Sequence, residues 1–291
     1  MPKDPIVRLL EARGGLTTRD LRQQFTKRQI AQAVADGLIV RDSRGHYALP
    51  RTTDGLRDAR RLSAVAVGRT AAATFGWRLK TDPPRPELAV PRGRKVSKAD
   101  RTRYQIRWRS FAASDLHSRH LTSKVRTVLD CAIELPFDES LAVADSALRN
   151  GSVTREELLV AAARIKRTGR LRALRVAMHA DHRAENPFES VVRALSLDVP
   201  GLNLHPQVPV RSGGRIIHPD LADKELRIVV EADSFEFHTN RRQIDIDCER
   251  YTELGLDGWL VVRVSHRQAM QRQDWVRSAF HRATQLRRGA R

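Results

Sequence analysis

Residues 219–233, PDLADKELRIVVEAD, combine the pattern of a buried strand with several acidic residues. From Leu226 onward apolar residues alternate, so the two-residue period of a β-strand puts Glu231 and Asp233 on one face, opposite the apolar face. Asp220 follows Pro219 directly, in the connection that precedes this strand. The pattern predicts that Asp220 lies close to Glu231 and Asp233 in the folded protein.

Carboxylates that converge in this way repel one another unless a cation lies among them. Mg²⁺ binds carboxylate oxygens, polarises a scissile phosphate and lowers the pKa of its bound water. We therefore expect a metal site for Mg²⁺ or Mn²⁺ with Asp220 and Glu231 as ligands. In the alternative interpretation Asp220 is a turn residue after proline. Glu231 and Asp233 are harder to explain without a site, because burying unpartnered carboxylates costs several kcal/mol.

The flanking sequence predicts the elements that would hold this site. Asn186, Pro187 and Glu189 have the pattern of an N-cap, a first helical residue and an acid in the first turn. A hairpin precedes Asp220, and a helix from about residue 240 to 254 is followed by a buried strand. Glu189 is either a helix cap or an acid that approaches the site, and the two roles are compatible.

Residues 1–50 have the pattern of a winged helix-turn-helix, with three helices followed by two short strands around a Gly-containing turn. A capping box begins the third helix, whose N-terminal half would meet base edges and phosphates. The residues expected to contact DNA here are Thr26, Lys27, Arg28, Gln29, Gln32 and, in the wing, Arg44. Domains of this shape also dock proteins, so that alternative stays open.

The charge of the chain favours a polyanionic partner. Its net charge is +19, and residues 51–130 carry 19 basic and 7 acidic residues, a net charge of +12. Phosphates neutralised by arginine release counterions, which gives affinity for nucleic acid of any sequence. Within the stretch from Arg92 to Arg109 we expect phosphate contacts from Arg92, Arg94 and Lys95. The alternative is a solvated basic loop that leads into a strand.

Several protein classes are excluded. The chain has two cysteines, and neither a disulfide framework nor a Cys/His spacing for zinc is present. No apolar run approaches the roughly 20 residues of a membrane helix, and the N-terminal segment lacks the apolar centre of a signal peptide. We therefore expect a cytoplasmic protein that does not bind membranes.

The same residues resemble known families. Pro219-Asp220, followed after ten residues by Glu231-Ala232-Asp233, is similar to a variant of the PD-(D/E)xK nuclease signature. VVEADSFEFH (229–238) and DCERYTELGLDGWLVVRV (247–264) resemble the bacterial domain related to the very-short-patch repair endonuclease. RTVLDCAIELPFDESLAVADSALRNGSVTREEL (126–158), together with the winged helix, resembles AbiEi-type antitoxins of type IV toxin-antitoxin systems.

These resemblances imply a multidomain α/β protein. Its parts would be a winged helix-turn-helix (1–52), a basic AbiEi-like α/β middle domain (53–184) and a PD-(D/E)xK restriction-endonuclease-like α/β/α domain (185–291). The nuclease resemblance implies a helical acid, two metal ligands, a histidine that assists proton transfer and supporting polar residues. In that order these are Glu189; Asp220 and Glu231; His238; and Asp247, Arg250 and Arg263.

Two points set this chain apart from a simple match. The signature Lys, which stabilises developing charge, is Asp233 in this chain. Asp247 and Arg250 are also spaced as an ordinary ion pair on one helix, which is the alternative to a supporting role in the site.

Three functions are consistent with these expectations. The first is a DNA endonuclease that hydrolyses phosphodiesters with Mg²⁺, and the retained acids and His238 favour it. The second is a non-catalytic AbiEi-type antitoxin or transcription regulator with a degenerate nuclease fold and a cognate toxin, which the missing Lys favours. The third is an RNA-processing enzyme, because a basic surface does not distinguish DNA from RNA.

Overall fold

The protein is a mixed α/β protein with two mixed β-sheets, as seen in a computed structural model. The structure describes residues 4–7, 9, 16–43, 46–48, 54–166, 168–233 and 241–289. It divides into two compact units, one of Met1–Trp77 with Thr81–Cys131 and one of Arg78–Lys80 with Ala132–Arg291. The three-part division at residues 52 and 184 stays a prediction.

The N-terminal part of the first unit contains a small antiparallel sheet with helices before its last two strands. Strand β1 (Leu16–Thr17) pairs with β3 (His46–Ala48), which pairs with β2 (Val40–Ser43). Helices α1 (Thr18–Arg22) and α2 (Lys27–Ala35) connect β1 to β2. The core of this part combines residues of both helices with residues outside them, and it contains the following buried residues: Ile6, Leu21, Ile30, Ala33 and Ile39.

The rest of the first unit is built on a five-stranded sheet of order β6-β5-β4-β8-β7, in which the β5–β6 and β4–β8 pairs are parallel. Its core contains Leu56, Leu88, Tyr104 and Leu121. The elements in chain order are α3 (Asp54–Arg61), β4 (Val65–Ala66), α4 (Gly68–Thr74), β5 (Glu87–Val90), α5 (Lys98–Arg103), β6 (Gln105–Trp108), β7 (Leu116–Ser118), β8 (Leu121–Thr122) and α6 (Lys124–Glu134).

Helices come first in the second unit and lead to its sheet. They are α7 (Phe137–Arg149), α8 (Arg155–Ala163), α9 (Arg170–His179) and α10 (Pro187–Ser196). A buried ion pair joins α7 to α10, with Arg193 Nη2 2.7 Å from Asp145 Oδ2. Arg193 also donates to the His179 carbonyl at 2.6 Å, so one guanidinium fixes the position of α10 through two other elements.

The sheet of the second unit has the order β14-β13-β12-β9, with β13 and β14 parallel and the other pairs antiparallel. Strands β10 and β11 form a separate hairpin. In chain order the elements are β9 (His205–Pro206), β10 (Val210–Ser212), β11 (Arg215–Ile217), β12 (Leu221–Asp223), β13 (Ile228–Asp233), α11 (Arg241–Leu256), β14 (Leu260–Ser265), α12 (His266–Gln271) and α13 (Gln273–Gly289).

Both faces of this sheet are covered. Ile228, Val230 and Val264 pack on one face against residues of α10, α12 and α13. Val229 packs on the other face with Leu254 of α11 and with the β10–β11 hairpin. No helix in the described part of the chain is long and apolar enough to cross a membrane.

Candidate active site

Asp220 and Glu231 meet beside the antiparallel pair β12 and β13. Leu221 pairs with Val230, so the register continues to Asp220 opposite Glu231. Asp220 Oδ2 accepts a hydrogen bond from the Ala232 N–H at 2.8 Å, and the Asp220 N–H donates a long hydrogen bond of 3.5 Å to Glu231 Oε2. The structure thus brings together the two residues expected as ligands, and their metal-binding role stays a prediction.

The two carboxylates lie in a poorly solvated environment. Glu231 is 4% exposed, and burial raises its pKa to about 7, against the nearby Arg250 and with a further rise from Asp220. Burial also raises the pKa of Asp220, while its hydrogen bond from Ala232 and the charge of Arg250 act to lower it. Two neighbouring carboxylates repel each other when both are ionised. A divalent cation bound between them would remove this repulsion.

Arg250 of α11 is the cation nearest to this pair. Its Nη2 lies 2.7 Å from Glu231 Oε1 and donates to the His218 carbonyl at 3.3 Å. The contact with Glu231 is an ion pair without hydrogen-bond geometry, because Glu231 Oε1 is buried and makes no hydrogen bond with any residue of the described ranges. A cation that bound Glu231 Oε1 would have to replace the Arg250 guanidinium beside it.

The donor set in the described part of the chain is small. It contains no group of three or more His, Cys, Asp or Glu side chains that could hold a metal ion. Mg²⁺ is often bound through one or two carboxylates, with water and substrate phosphate oxygens completing its coordination. Asp220 and Glu231 therefore fit this metal as a two-carboxylate site. His238, expected to assist proton transfer, lies outside the described residues.

Glu189 occupies the first turn of α10 and caps that helix. Its N–H donates to Asn186 Oδ1 at 3.0 Å, and its two carboxylate oxygens accept from Asn186 Nδ2 at 2.5 Å and from the Glu185 N–H at 2.8 Å. Burial raises the pKa of Glu189 to about 8, the Glu185 N–H opposes this rise, and Asp220 adds to it. The helix-capping role is confirmed, and the role as an acid of the metal site stays a prediction.

Asp233 occupies the position of the signature Lys and is tied to a cation. Arg263 Nε of β14 lies 2.7 Å from Asp233 Oδ2, and the guanidinium lies 4.5 Å from the ring centroid of Tyr251. Burial, together with the negative charges of Asp233 and Glu231, raises the pKa of Tyr251 to about 12. Glu231 and Asp233 thus each face an arginine.

Two contacts to the acids join residues that are far apart in the chain. Gln207 donates a side-chain hydrogen bond toward Glu189, and Arg250 pairs with Glu231. The resemblance had implied a supporting role for Arg250 in the site, with an ion pair to Asp247 of the same helix as the alternative. No periodic signal marks a contact between α11 and β13, because it depends on how the helix packs on the sheet.

The residues expected to contact DNA in α2 divide into two groups. Thr26 and Gln29 form the predicted capping box, with the Thr26 N–H donating to Gln29 Oε1 at 2.8 Å and the Gln29 N–H donating to Thr26 Oγ1 at 3.2 Å. Gln32 Nε2 donates to Asp36 Oδ1 at 2.8 Å. Lys27 and Arg28 are exposed. Arg44 lies outside the described residues.

The basic stretch after β5 is also divided between internal and exposed cations. Arg94 donates to the carbonyls of Leu62 at 2.6 Å and Ser63 at 2.8 Å, so it holds a loop of its own unit. Arg92 and Lys95 are exposed. Their contact with phosphates stays a prediction, whereas Arg94 stabilises the loop at Leu62 and Ser63.

Comparison with known proteins gives distant relatives. No protein-family model matches the chain. Two proteins of Mycobacterium tuberculosis, the uncharacterized protein MT2308 of strain CDC 1551 / Oshkosh and the uncharacterized protein Rv2248 of strain H37Rv, are each 32% identical to it over 149 residues. The match covers 50% of this chain and 55% of each relative, so the chain spans about half the length of the curated relatives it matches.

One similar solved structure is the crystal structure of RV2827C protein from Mycobacterium tuberculosis. The similarity covers 72% of this chain and 90% of that chain, with 14% sequence identity and a TM-score of 0.32. The chain is therefore a distant homologue of uncharacterized mycobacterial proteins, and the comparisons give no named family.

Proposed function

We propose that this chain binds DNA and that its C-terminal part hydrolyses DNA phosphodiesters with Mg²⁺ or Mn²⁺. The observation that carries the proposal is the meeting of Asp220 with the buried Glu231 across the start of β12 and the end of β13. The pKa values of both carboxylates stay raised even with Arg250 2.7 Å from Glu231, and two converging carboxylates match the ligand preference of these cations.

The architecture of the second unit supports a PD-(D/E)xK fold for residues 185–291. Helix α10 is followed by β9, β12 and β13, then by α11, and β14 pairs parallel to β13. The acids lie at β12 and β13, as the nuclease signature requires. In the first unit, the two helices and the antiparallel sheet of residues 16–48 support a winged helix-turn-helix, and the AbiEi-like middle domain rests on the resemblance alone.

Two acids of the site would bind the cation, and an arginine would stabilise negative charge on the phosphate. Asp220 and Glu231 would hold the cation, which when bound supplies a polarised phosphate and a water of lowered pKa. Glu231 must lose its proton to become a ligand, and its pKa of about 7 makes cation binding stronger as the pH rises. Arg250 is the positive charge beside Glu231, and it would stabilise negative charge that develops on the phosphate, as the signature Lys does.

Cleavage of plasmid DNA and of short mismatched duplexes in Mg²⁺ or Mn²⁺ tests this function. We expect cleavage by the wild type and none by Asp220→Asn or Glu231→Gln. Glu249→Gln is the matched control, because it removes one charge from the exposed surface of α11. The proposal fails if the folded wild type cleaves no substrate with either ion, or if both site variants cleave as the wild type does.

A second candidate function is a non-catalytic AbiEi-type antitoxin or transcription regulator. The observation that favours it is the ion pair of Asp233 with Arg263, because an acid held by an arginine stands where the nuclease signature has its Lys. Sequence-specific DNA binding without cleavage, together with capture of a cognate toxin by the full chain, would support this candidate.

A further inference from the structure

A groove next to the β10–β11 hairpin has three cationic side chains around a tryptophan. Its volume is about 520 Å³, and it is lined by Pro209, Val210, Arg211, Ile216, Lys224, Arg227 and Trp259. We call it the Trp259 groove. None of these residues belongs to the acidic site or to the DNA-contacting residues expected from the sequence.

The charge of the Trp259 groove is uncompensated. Arg211, Lys224 and Arg227 are exposed, and none of them forms an ion pair with a carboxylate in the ranges that the structure describes. Three unpaired cations around one depression attract a polyanion. Arg227 is also held in place, because its guanidinium lies 5.5 Å from the Trp259 ring centroid and donates to the Asp257 carbonyl.

The groove also offers an apolar surface that a simple anion would not use. Ile216 is 65% exposed, and the partly buried Trp259 contributes its ring to the lining. Aromatic rings beside cations bind the bases and phosphates of single-stranded nucleic acid, and stacking works with any base. An acidic peptide would satisfy the cations, but its carboxylates have no aromatic face to stack on Trp259.

We propose that the Trp259 groove binds single-stranded nucleic acid, with a base against Trp259 and phosphates at Arg211 and Lys224. The inference rests on the proposed function, because a surface that holds single-stranded nucleic acid would help a nuclease to retain its substrate. Trp259 precedes Leu260, whose partner Ile228 lies three residues before Glu231 on β13. Three residues of β13 span about 10 Å. Val229, between the groove and Glu231, is covered by α11 and the β10–β11 hairpin, so the groove is a separate binding surface.

Photo-crosslinking of the full-length protein in EDTA tests the groove separately from cleavage. The probe is an oligothymidine of about 12 nucleotides that carries 5-iododeoxyuridine, a length within the range of single-strand sites. We expect mass spectrometry to find the crosslink on Trp259. Arg211→Glu/Lys224→Glu should reduce this crosslink about tenfold, because both changes place negative charge beside phosphates.

Arg267→Glu/Arg282→Glu is the matched control, with the same charge change at two exposed helix positions. It should keep the Trp259 crosslink within about twofold of wild type, since a change in net charge far from the strand acts weakly compared with removal of a direct phosphate contact. An equal loss in both double variants would overturn the proposal, and so would crosslinks that exclude Trp259. An oligoglutamate of equal charge that displaces the probe at equal concentration would overturn it as well, and would identify a site for acidic peptides.

The outcomes separate this inference from the proposed function. A crosslink at Trp259 in a protein that never cleaves DNA would support nucleic-acid binding by the groove and contradict the nuclease function. Cleavage that depends on Asp220, without a crosslink at Trp259, would support the nuclease function and contradict nucleic-acid binding by the groove.

Discussion

Single side chains determine the electrostatics of the acidic site. Glu231 is buried and Asp220 half-buried, and both have raised pKa values, while Arg250 lies beside Glu231 and Arg263 beside Asp233. The acids were predictable, because the strand period and the position after Pro219 place them together. The resemblance named both arginines as supporting polar residues, but which acid each one contacts was not predictable, since the contacts join residues far apart in the chain.

Stability should fall as the pH rises in the metal-free protein. Glu189 has a folded pKa of about 8 against an ordinary value of 4.5, so the folded state holds its proton where the unfolded state releases it. The contribution of this group is therefore fully present below about pH 4.5 and is lost by about pH 8. Urea denaturation at a series of pH values in EDTA measures the effect.

Glu189→Gln is the test variant for this pH dependence. It changes the hydrogen bonds that Glu185 and Asn186 donate, so the overall stability shifts, and the slope with pH is the quantity to compare. We expect a shallower fall between about pH 5 and 8 than in the wild type. Parallel profiles for the two proteins would contradict the raised pKa.

Introducing the signature Lys alone, at position 233, should destabilise the protein. In Asp233→Lys the new ammonium would face Arg263, which now lies 2.7 Å from the carboxylate. We expect a loss of stability of about 0.5–1 kcal/mol, since the pair is partly exposed and screened. The reversed pair Asp233→Lys/Arg263→Asp should recover most of it in a double-mutant cycle, and equal stability of all variants would contradict this coupling.

Helices and strands differ in how well the sequence predicts them. The caps at Thr26 and Asn186 were predicted and are present, because a cap is a local hydrogen-bond pattern. The helix expected from about residue 240 to 254 is α11, and the last strand is β14. Strands β9 and β12 could not be predicted, since two or three residues are too short to show a period.

The surface of α2 should separate DNA contact from helix stability. Lys27→Ala/Arg28→Ala should weaken binding to a preferred site by about 1–3 kcal/mol for each base that is no longer contacted, without a change in melting temperature. Gln29→Ala should instead destabilise the protein by about 1 kcal/mol, because Gln29 completes the capping box. Wild-type affinity in the double variant would contradict the DNA-reading role of α2.

The exposed cations after β5 should act through phosphates. Replacing Arg92, Lys95 and Lys98 with serine should make the slope of log K against log salt shallower by about 0.9 for each phosphate that is no longer neutralised. Arg94→Ala should mainly lower stability, because Arg94 donates to two carbonyls of its own unit. A triple variant with the wild-type slope would show that these cations form only a solvated loop.

The whole molecule combines opposite charges. A net charge of +19 favours encounter with nucleic acid, while the buried Glu231 and the half-buried Asp220 bring two acids together at one edge of a sheet. Composition predicted the first property, and strand patterning predicted the second. The Trp259 groove was not predictable, because its lining comes from the hairpin, the β12–β13 turn and the start of β14.

Direct binding of Mn²⁺ tests the central claim, that Asp220 and Glu231 form a cation site. Calorimetry or electron paramagnetic resonance on the full chain should detect a single ion per chain, bound more tightly at about pH 8 than at about pH 6 because Glu231 must be deprotonated. Asp220→Asn and Glu231→Gln should lose this ion, and Glu249→Gln should keep it. A folded wild type that binds no Mn²⁺, or site variants that bind it as the wild type does, would contradict the claim.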